Sequence, residues 1–209
     1  MEIAAGDFKT ALQTLRRLGL LLETDARLPS VASLIAGEPI SGSWWSHAFA
    51  QKIFTTLGQF ADHRDVMFTK LISGKVTLVH RKLWPEITAI GTARAPWQMK
   101  GLSKSARNLF EMIDEHGSLR TDQLAWPESA TAKPGEAARE LEAKLLIHAG
   151  QFHTETGAHA KLLESWEAWA KRVGFKVKRI STDEAKKKME ERVRKLNEQF
   201  EAKARLPWV

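Results

Sequence analysis

Apolar residues recur at three- and four-residue steps early in the chain, at Phe8, Ala11, Leu12, Leu15 and Leu18. That spacing predicts one face of an amphipathic helix. Asp7 stands where its carboxylate accepts the free amide protons of the first turn, and Gly19 ends the segment. "DARLPSVASLIAGEP" predicts a second, short helix, because Pro29 suits a helix start and Gly37 a stop. In "ISGSWWSHAFAQKIFTTLGQF" Ser43 is a candidate cap. Trp45, Ala48, Phe49, Lys52, Ile53, Thr56, Leu57 and Phe60 then form one long helical face, apolar except at Lys52 and Thr56. Next the period changes. Val66, Phe68, Leu71 and Ile72 lead into Ser73-Gly74-Lys75, after which Val76, Leu78 and His80 alternate with Thr77 and Val79, predicting a hairpin. A short helix from Lys82 to Ile90, started or broken by Pro85, follows. Helix, helix, helix and hairpin is the order of a winged helix-turn-helix.

Residues 91–101, "GTARAPWQMKG", show no period and read as a linker. Beyond it Ala106, Leu109, Phe110 and Ile113 share a helical face that Gly117 closes, and Ser118 to Arg120 supply a short strand. Thr121 is expected to cap a helix over "DQLAW", and Gly135 opens another with Ala138, Leu141, Leu145 and Leu146 facing in. "LIHAGQFHTETGAH" alternates about Gly150 as a second wing. "AHAKLLESWEAWAKRVGF" continues as a helix with Leu162, Leu163, Trp166 and Trp169 or Ala170 at helical spacing. After the extended basic run "FKVKRI", a charged helix starts from the capping box of Ser181 and Glu184. Its apolar stripe is thin, with Ala185, Met189, Val193, Leu196 and Phe200. The expected fold class is mainly α with small β-hairpins: tandem winged helix-turn-helix units plus a C-terminal helical extension. The expected division is a first unit over 1–90, a linker over 91–101, a second unit over 102–159 and a basic extension over 160–209. A structural duplication of the two units is a hypothesis, since they share no sequence identity.

Composition narrows the function classes. A chain of 209 residues with 43% hydrophobic content suits one large domain or two small ones. The absence of cysteine excludes disulfides and thiolate metal sites and fits a cytoplasmic setting. "MEIAAGDFKT" lacks the basic-then-apolar pattern of a secretory signal, and the apolar patch from Leu18 to Leu22 is too short to span a bilayer, so no membrane partner is expected. A net charge of +7 favours a polyanionic partner, and duplex nucleic acid is the one expected. The charge is unevenly spread: residues 1–100 carry +4, residues 101–160 carry −3 and residues 161–209 carry +6.

That distribution picks out the candidate nucleic-acid contacts. Lys70 and Lys75 lie on the first hairpin, with Arg81 and Lys82 after it; Arg172, Lys176, Lys178, Arg179, Lys186, Lys187 and Lys188 make a C-terminal basic segment. The alternatives are a hairpin edge whose lysines discourage strand pairing, and a solvated helix with Glu190, Glu191 and Arg194 paired at helical spacing. Trp44 and Trp45 are candidates for base stacking, or for packing helix against hairpin. The helix over Glu136 to Lys144 displays Glu136, Glu140 and Glu142, which phosphates would repel, so this unit packs against the first or binds protein. His148, His153 and His159 lack helix-type ligand spacing and a carboxylate set, and "DHRD" at 62–65 reads as a turn, so no metal site or acid–base pair is assigned. No phosphate-cradling glycine loop or Gly-x-Ser-x-Gly elbow is present, and no cofactor is expected.

Three segments carry a family resemblance: Leu28 to Ile87, Leu102 to Leu124 and "WEAWAKR". They resemble the bacterial winged-helix proteins related to the crosslink-repair DNA glycosylases, in which a Trp-containing helix leads to a strand pair of pattern K-L-L/I-x-G-K-x-T-L-V, here Lys70 to Val79. The resemblance implies tandem winged helices used around duplex DNA, in DNA repair. Catalytic members resemble one another in a Gln-x-Gln motif, whereas no two of the glutamines here, at 13, 51, 59, 98, 123, 151 and 199, are separated by a single residue. No catalytic residue is therefore carried over. Two functions follow: a DNA-binding tandem winged-helix protein, a non-catalytic relative of the repair glycosylases, or a protein–protein interaction module docking through its acidic second unit.

Overall fold

The computed structural model describes residues 7–127, 132–155 and 157–209, with every side chain among them except that of His153. The chain is mainly α-helical with small antiparallel sheets, and it divides into two compact units. One holds the described residues up to Trp84 together with 186–207 and 209; the other holds 85–185 and 208.

In the first unit, α1 (Phe8–Leu18) starts where the Asp7 carboxylate accepts the Thr10 amide at 2.8 Å. It stops at Gly19, whose φ of 83° suits a residue without a Cβ; a Cβ there would also lie 2.8 Å from Leu83. β1 (Leu20–Leu22) and α2 (Val31–Ala36) follow, α2 capped by the Ser30 hydroxyl and closed by Gly37. After α3 (Ala50–Ala61) come β2 (Val66–Lys70) and β3 (Val76–His80). The sheet order is β1-β3-β2, with Leu78 of β3 opposite both Leu21 and Phe68. Inward residues of α1, α2 and α3 (Leu15, Ile35, Ile53 and Phe60 among them) close the core over Leu21 and Leu78. The sequence pattern gave no signal for β1: three buried leucines carry no alternation.

α4 (Trp84–Gly91), α5 (Pro96–Met99) and α6 (Lys104–His116) lead to β4 (Ser118–Arg120), α7 (Pro134–Ala143), β5 (His148–His153) and β6 (His159–Glu164). Here the sheet order is β4-β6-β5. α6 and α7 place Leu109, Ile113, Ala138 and Leu141 around Leu163 of β6. The stretch from 96 to 100 has structure of its own: buried Gln98 accepts the Ala95 amide and donates to the Lys144 carbonyl, while Lys144 Nζ donates to the carbonyls of Trp97 and Lys100. α8 (Trp166–Arg172) and α9 (Thr182–Phe200) complete the chain.

Four sequence expectations are corrected. The third helix begins at Ala50 rather than near Trp45, because the Trp44 indole is tied back to Glu23 at 3.0 Å and residues 45–49 turn. Leu162 and Leu163 lie in strand β6, and the helix starts only after Ser165, whose hydroxyl accepts the Ala168 amide. Strand and helix run together there without a glycine or proline, so the spacing imitates one helix. The second hairpin closes where the Thr154 amide donates to the Ala158 carbonyl, leaving Gly150 inside β5 opposite Leu162. No helix forms over residues 122–126; Thr121 instead joins the sheet edge, exchanging hydrogen bonds with the Lys161 backbone at 2.9 Å.

Candidate nucleic-acid interface

The hairpin β2–β3 carries its cations in distinct environments. Lys75 at the tip reaches Asp25 at 2.6 Å. Burial pushes the Asp25 carboxyl up, but the Lys75 ammonium and the amides of Arg27 and Leu28 outweigh it and hold the group below its ordinary value. Beside this pair lies a pocket of ≈ 440 Å³ lined by Thr24, Arg27, Ser41, Ser73 and Lys203 among others. Ser73, in a left-handed conformation at φ 51°, donates its amide to the Arg205 carbonyl at 2.8 Å and accepts the Arg205 amide on its hydroxyl at 3.2 Å, so the C-terminal return buttresses the hairpin tip. Lys70 is half-buried at the end of β2, and Arg81 lies over the Trp84 ring at 5.1 Å with Asp65 at 3.9 Å.

Lys82 has a structural task. Its ammonium donates to the carbonyls of Arg16 (2.5 Å) and Arg17 (3.1 Å), in the last turn of α1. Arg192 of α9 donates to the neighbouring Leu18 carbonyl at 3.2 Å. Two cations at the negative end of a helix are favourable to it. Burial lowers the Lys82 pKa, and the Arg192 charge lowers it further. Burial and the Lys82 charge likewise lower that of His80, against Asp65, which raises it. Arg16, Arg17, Arg81, Lys82 and Arg192 thus share one region of the first unit. Sequence reasoning missed Arg16, Arg17 and Arg192; the basic last turn of α1 was the available signal.

The C-terminal cations divide between the units. Lys176, Lys178 and Arg179 are exposed on an irregular segment of the second unit, whereas Lys186, Lys187 and Lys188 belong to α9 in the first. α9 buries Met189, Val193 and Leu196 along one stripe, while Arg194 pairs with Glu191 and Glu198 on the solvent side. Arg172 grips Glu164 through Nε (2.6 Å) and Nη2 (2.7 Å), and His148 Nδ1 lies 3.2 Å from the same carboxylate. Of the other candidate histidines, His159 Nδ1 lies 2.7 Å from the Gln151 amide. The α7 glutamates are also engaged within their own unit. Glu136 caps its helix at Lys133, Glu140 accepts the Ser103 amide and hydroxyl, and Glu142 pairs with Lys161 at 2.7 Å.

Around α3 the picture differs. Trp44 is 4% exposed and its ring lies beneath that of Trp45, with centroids 4.3 Å apart and planes 23° off parallel. Trp45 is 66% exposed, with Phe54 (49%) beside it at 5.9 Å. The solvent face of α3 bears Gln51, Lys52, Phe54, Thr55, Gly58 and Gln59, and the helix contains no acidic residue. Gly58 lies within this face. A Cβ built on it meets nothing within 4 Å, and its backbone is ordinary helix, so nothing among the described residues requires glycine where alanine would be better by up to about 1 kcal/mol; Gly135 of α7 is alike in this.

Among the described residues no helix is long and apolar enough to cross a membrane. No curated protein and no solved structure matches the chain. A family described as AlkZ related, AlkZ being a crosslink-repair DNA glycosylase, matches it over residues 6–206. On that near-complete match, the chain belongs to the AlkZ-related family.

Proposed function

We propose that this member of the AlkZ-related family is a cytoplasmic, duplex-DNA-binding protein built on two winged-helix units, and that it binds without excising a base. The observation that carries the reading is the family match over residues 6–206, which relates the chain to a crosslink-repair DNA glycosylase. Physical chemistry supports it. Each unit joins helices to a three-stranded sheet ending in a hairpin, and the first hairpin brings Lys70, Lys75 and Arg81 to one strand pair and its flank. Phosphate contacts from such cations supply most nucleic-acid affinity. The absence of any Gln-x-Gln spacing supports a role in binding alone. Docking of a protein on the acidic second unit has less support, since the α7 glutamates already serve its internal hydrogen bonds and ion pairs.

The test is charge removal at the hairpin. Lys82 is left in place because it caps α1. The Lys70→Ala/Lys75→Ala/Arg81→Ala variant is expected to keep its fold by circular dichroism and to bind a mixed-sequence duplex more weakly. The slope of log K against log salt should become shallower by roughly 2–3, one phosphate contact per cation removed. Affinity and slope equal to those of the unsubstituted protein would remove the hairpin from the interface.

A further inference from the structure

We infer that the solvent face of α3 enters the major groove of duplex DNA, with Gln51, Thr55 and Gln59 turned to base edges and Gly58 at the point of closest approach. The inference rests on the duplex-binding reading above and says where on the protein sequence is read.

Three observations converge on it. Gln51, Thr55 and Gln59 follow one another at four-residue steps, so they form a single stripe, all exposed. Glutamine pairs with the N6 and N7 edge of adenine, and the threonine methyl suits the thymine methyl, so the stripe matches A·T-containing steps. Second, the helix itself bears no acidic side chain, and Lys52, within electrostatic reach of Asp7, borders the stripe on one side. This contrasts with α7, which carries Glu136, Glu140 and Glu142. Third, Gly58 lies on the same face with open space before it, which no contact among the described residues explains. A body pressed against the helix backbone does explain it, because any side chain at 58 would hold that body off. Trp45 and Phe54 form an apolar border on the side opposite Lys52, suited to thymine methyls. The stack on Trp44, itself held by Glu23, fixes Trp45 in place.

The experiment uses the full chain and a pool of duplexes with a randomised centre, recovered after binding and sequenced. The unsubstituted protein is expected to enrich a short motif rich in A·T pairs. Gln51→Ala/Gln59→Ala should erase or change that motif while general, salt-sensitive binding persists. Gly58→Leu should weaken binding to the enriched duplex about tenfold or more, and Gly58→Ala by less, with a melting temperature no lower than that of the unsubstituted protein. A pool without enrichment, or enrichment that none of these substitutions alters, would overturn the groove assignment while leaving duplex binding intact. Failure of the unsubstituted protein to bind any duplex would overturn both.

Discussion

Replacing Arg172 with alanine is expected to cost about 3 kcal/mol of stability at neutral pH, more than it costs in DNA affinity. The reason is what it leaves behind. The Glu164 side chain is 2% exposed, and it accepts a fork of two bonds from Arg172 and one from His148. Burial raises the pKa of this carboxyl, but the hydrogen bonds and charges of Arg172 and His148 outweigh it, and the net shift is downward. The pair therefore contributes stability that is present above the ordinary carboxylate range and lost as pH falls through the depressed folded value. Without Arg172, burial dominates. The penalty is then greatest at neutral pH and shrinks as Glu164 takes up a proton, so the gap between variant and parent narrows on acidification. Urea unfolding at two pH values reads this directly. Arg172→Lys should restore only part of the loss, since an ammonium cannot make the fork. A variant as stable as its parent but weaker on DNA would instead return Arg172 to the phosphate contacts.

Gly91→Ala is expected to destabilise the second unit by about 3 kcal/mol, combining overpacking with a lost hydrogen bond. A Cβ at 91 would lie 2.2 Å from Nε1 of Trp166 and 2.4 Å from its Cδ1. The ring cannot easily yield. Its Nε1 donates to the Leu145 carbonyl at 2.7 Å, and its faces and edges meet His148 and Trp169. Leu145 has a left-handed backbone at φ 53°, a conformation costly for a leucine, and the bond from Trp166 helps to hold it. Differential scanning calorimetry should show the loss, and adding Trp166→Phe should recover part of it, because the two substitutions share one contact. An unchanged melting temperature would refute the packing argument.

What could be read from the chain depended on whether the signal was local. Asp7, Gly19, Gly37 and Gly117 act within one helical turn, and each marks the helix end it was expected to mark. Ser73-Gly74 sits between paired strands as the alternation required. The misreadings came where distant partners decide. Trp45 and Phe49 fit a helical face by spacing, yet the bond from Trp44 to Glu23, far off in sequence, helps to bend this stretch away from helix and leaves both rings exposed. Charge adds a task that spacing does not show: Arg172 and Lys82 are exposed cations, yet the first also grips buried Glu164 and the second the last carbonyls of α1. Gly58 carried a signal that periodicity does not weigh, a glycine in an exposed helical turn with nothing among the described residues to accommodate.

The most direct test of the account is the salt dependence of duplex binding by the intact chain. Log K against log salt should fall linearly with a slope of about −3 or steeper, reporting three or more phosphates neutralised. No binding at low salt, or an affinity indifferent to salt, would contradict the proposed function.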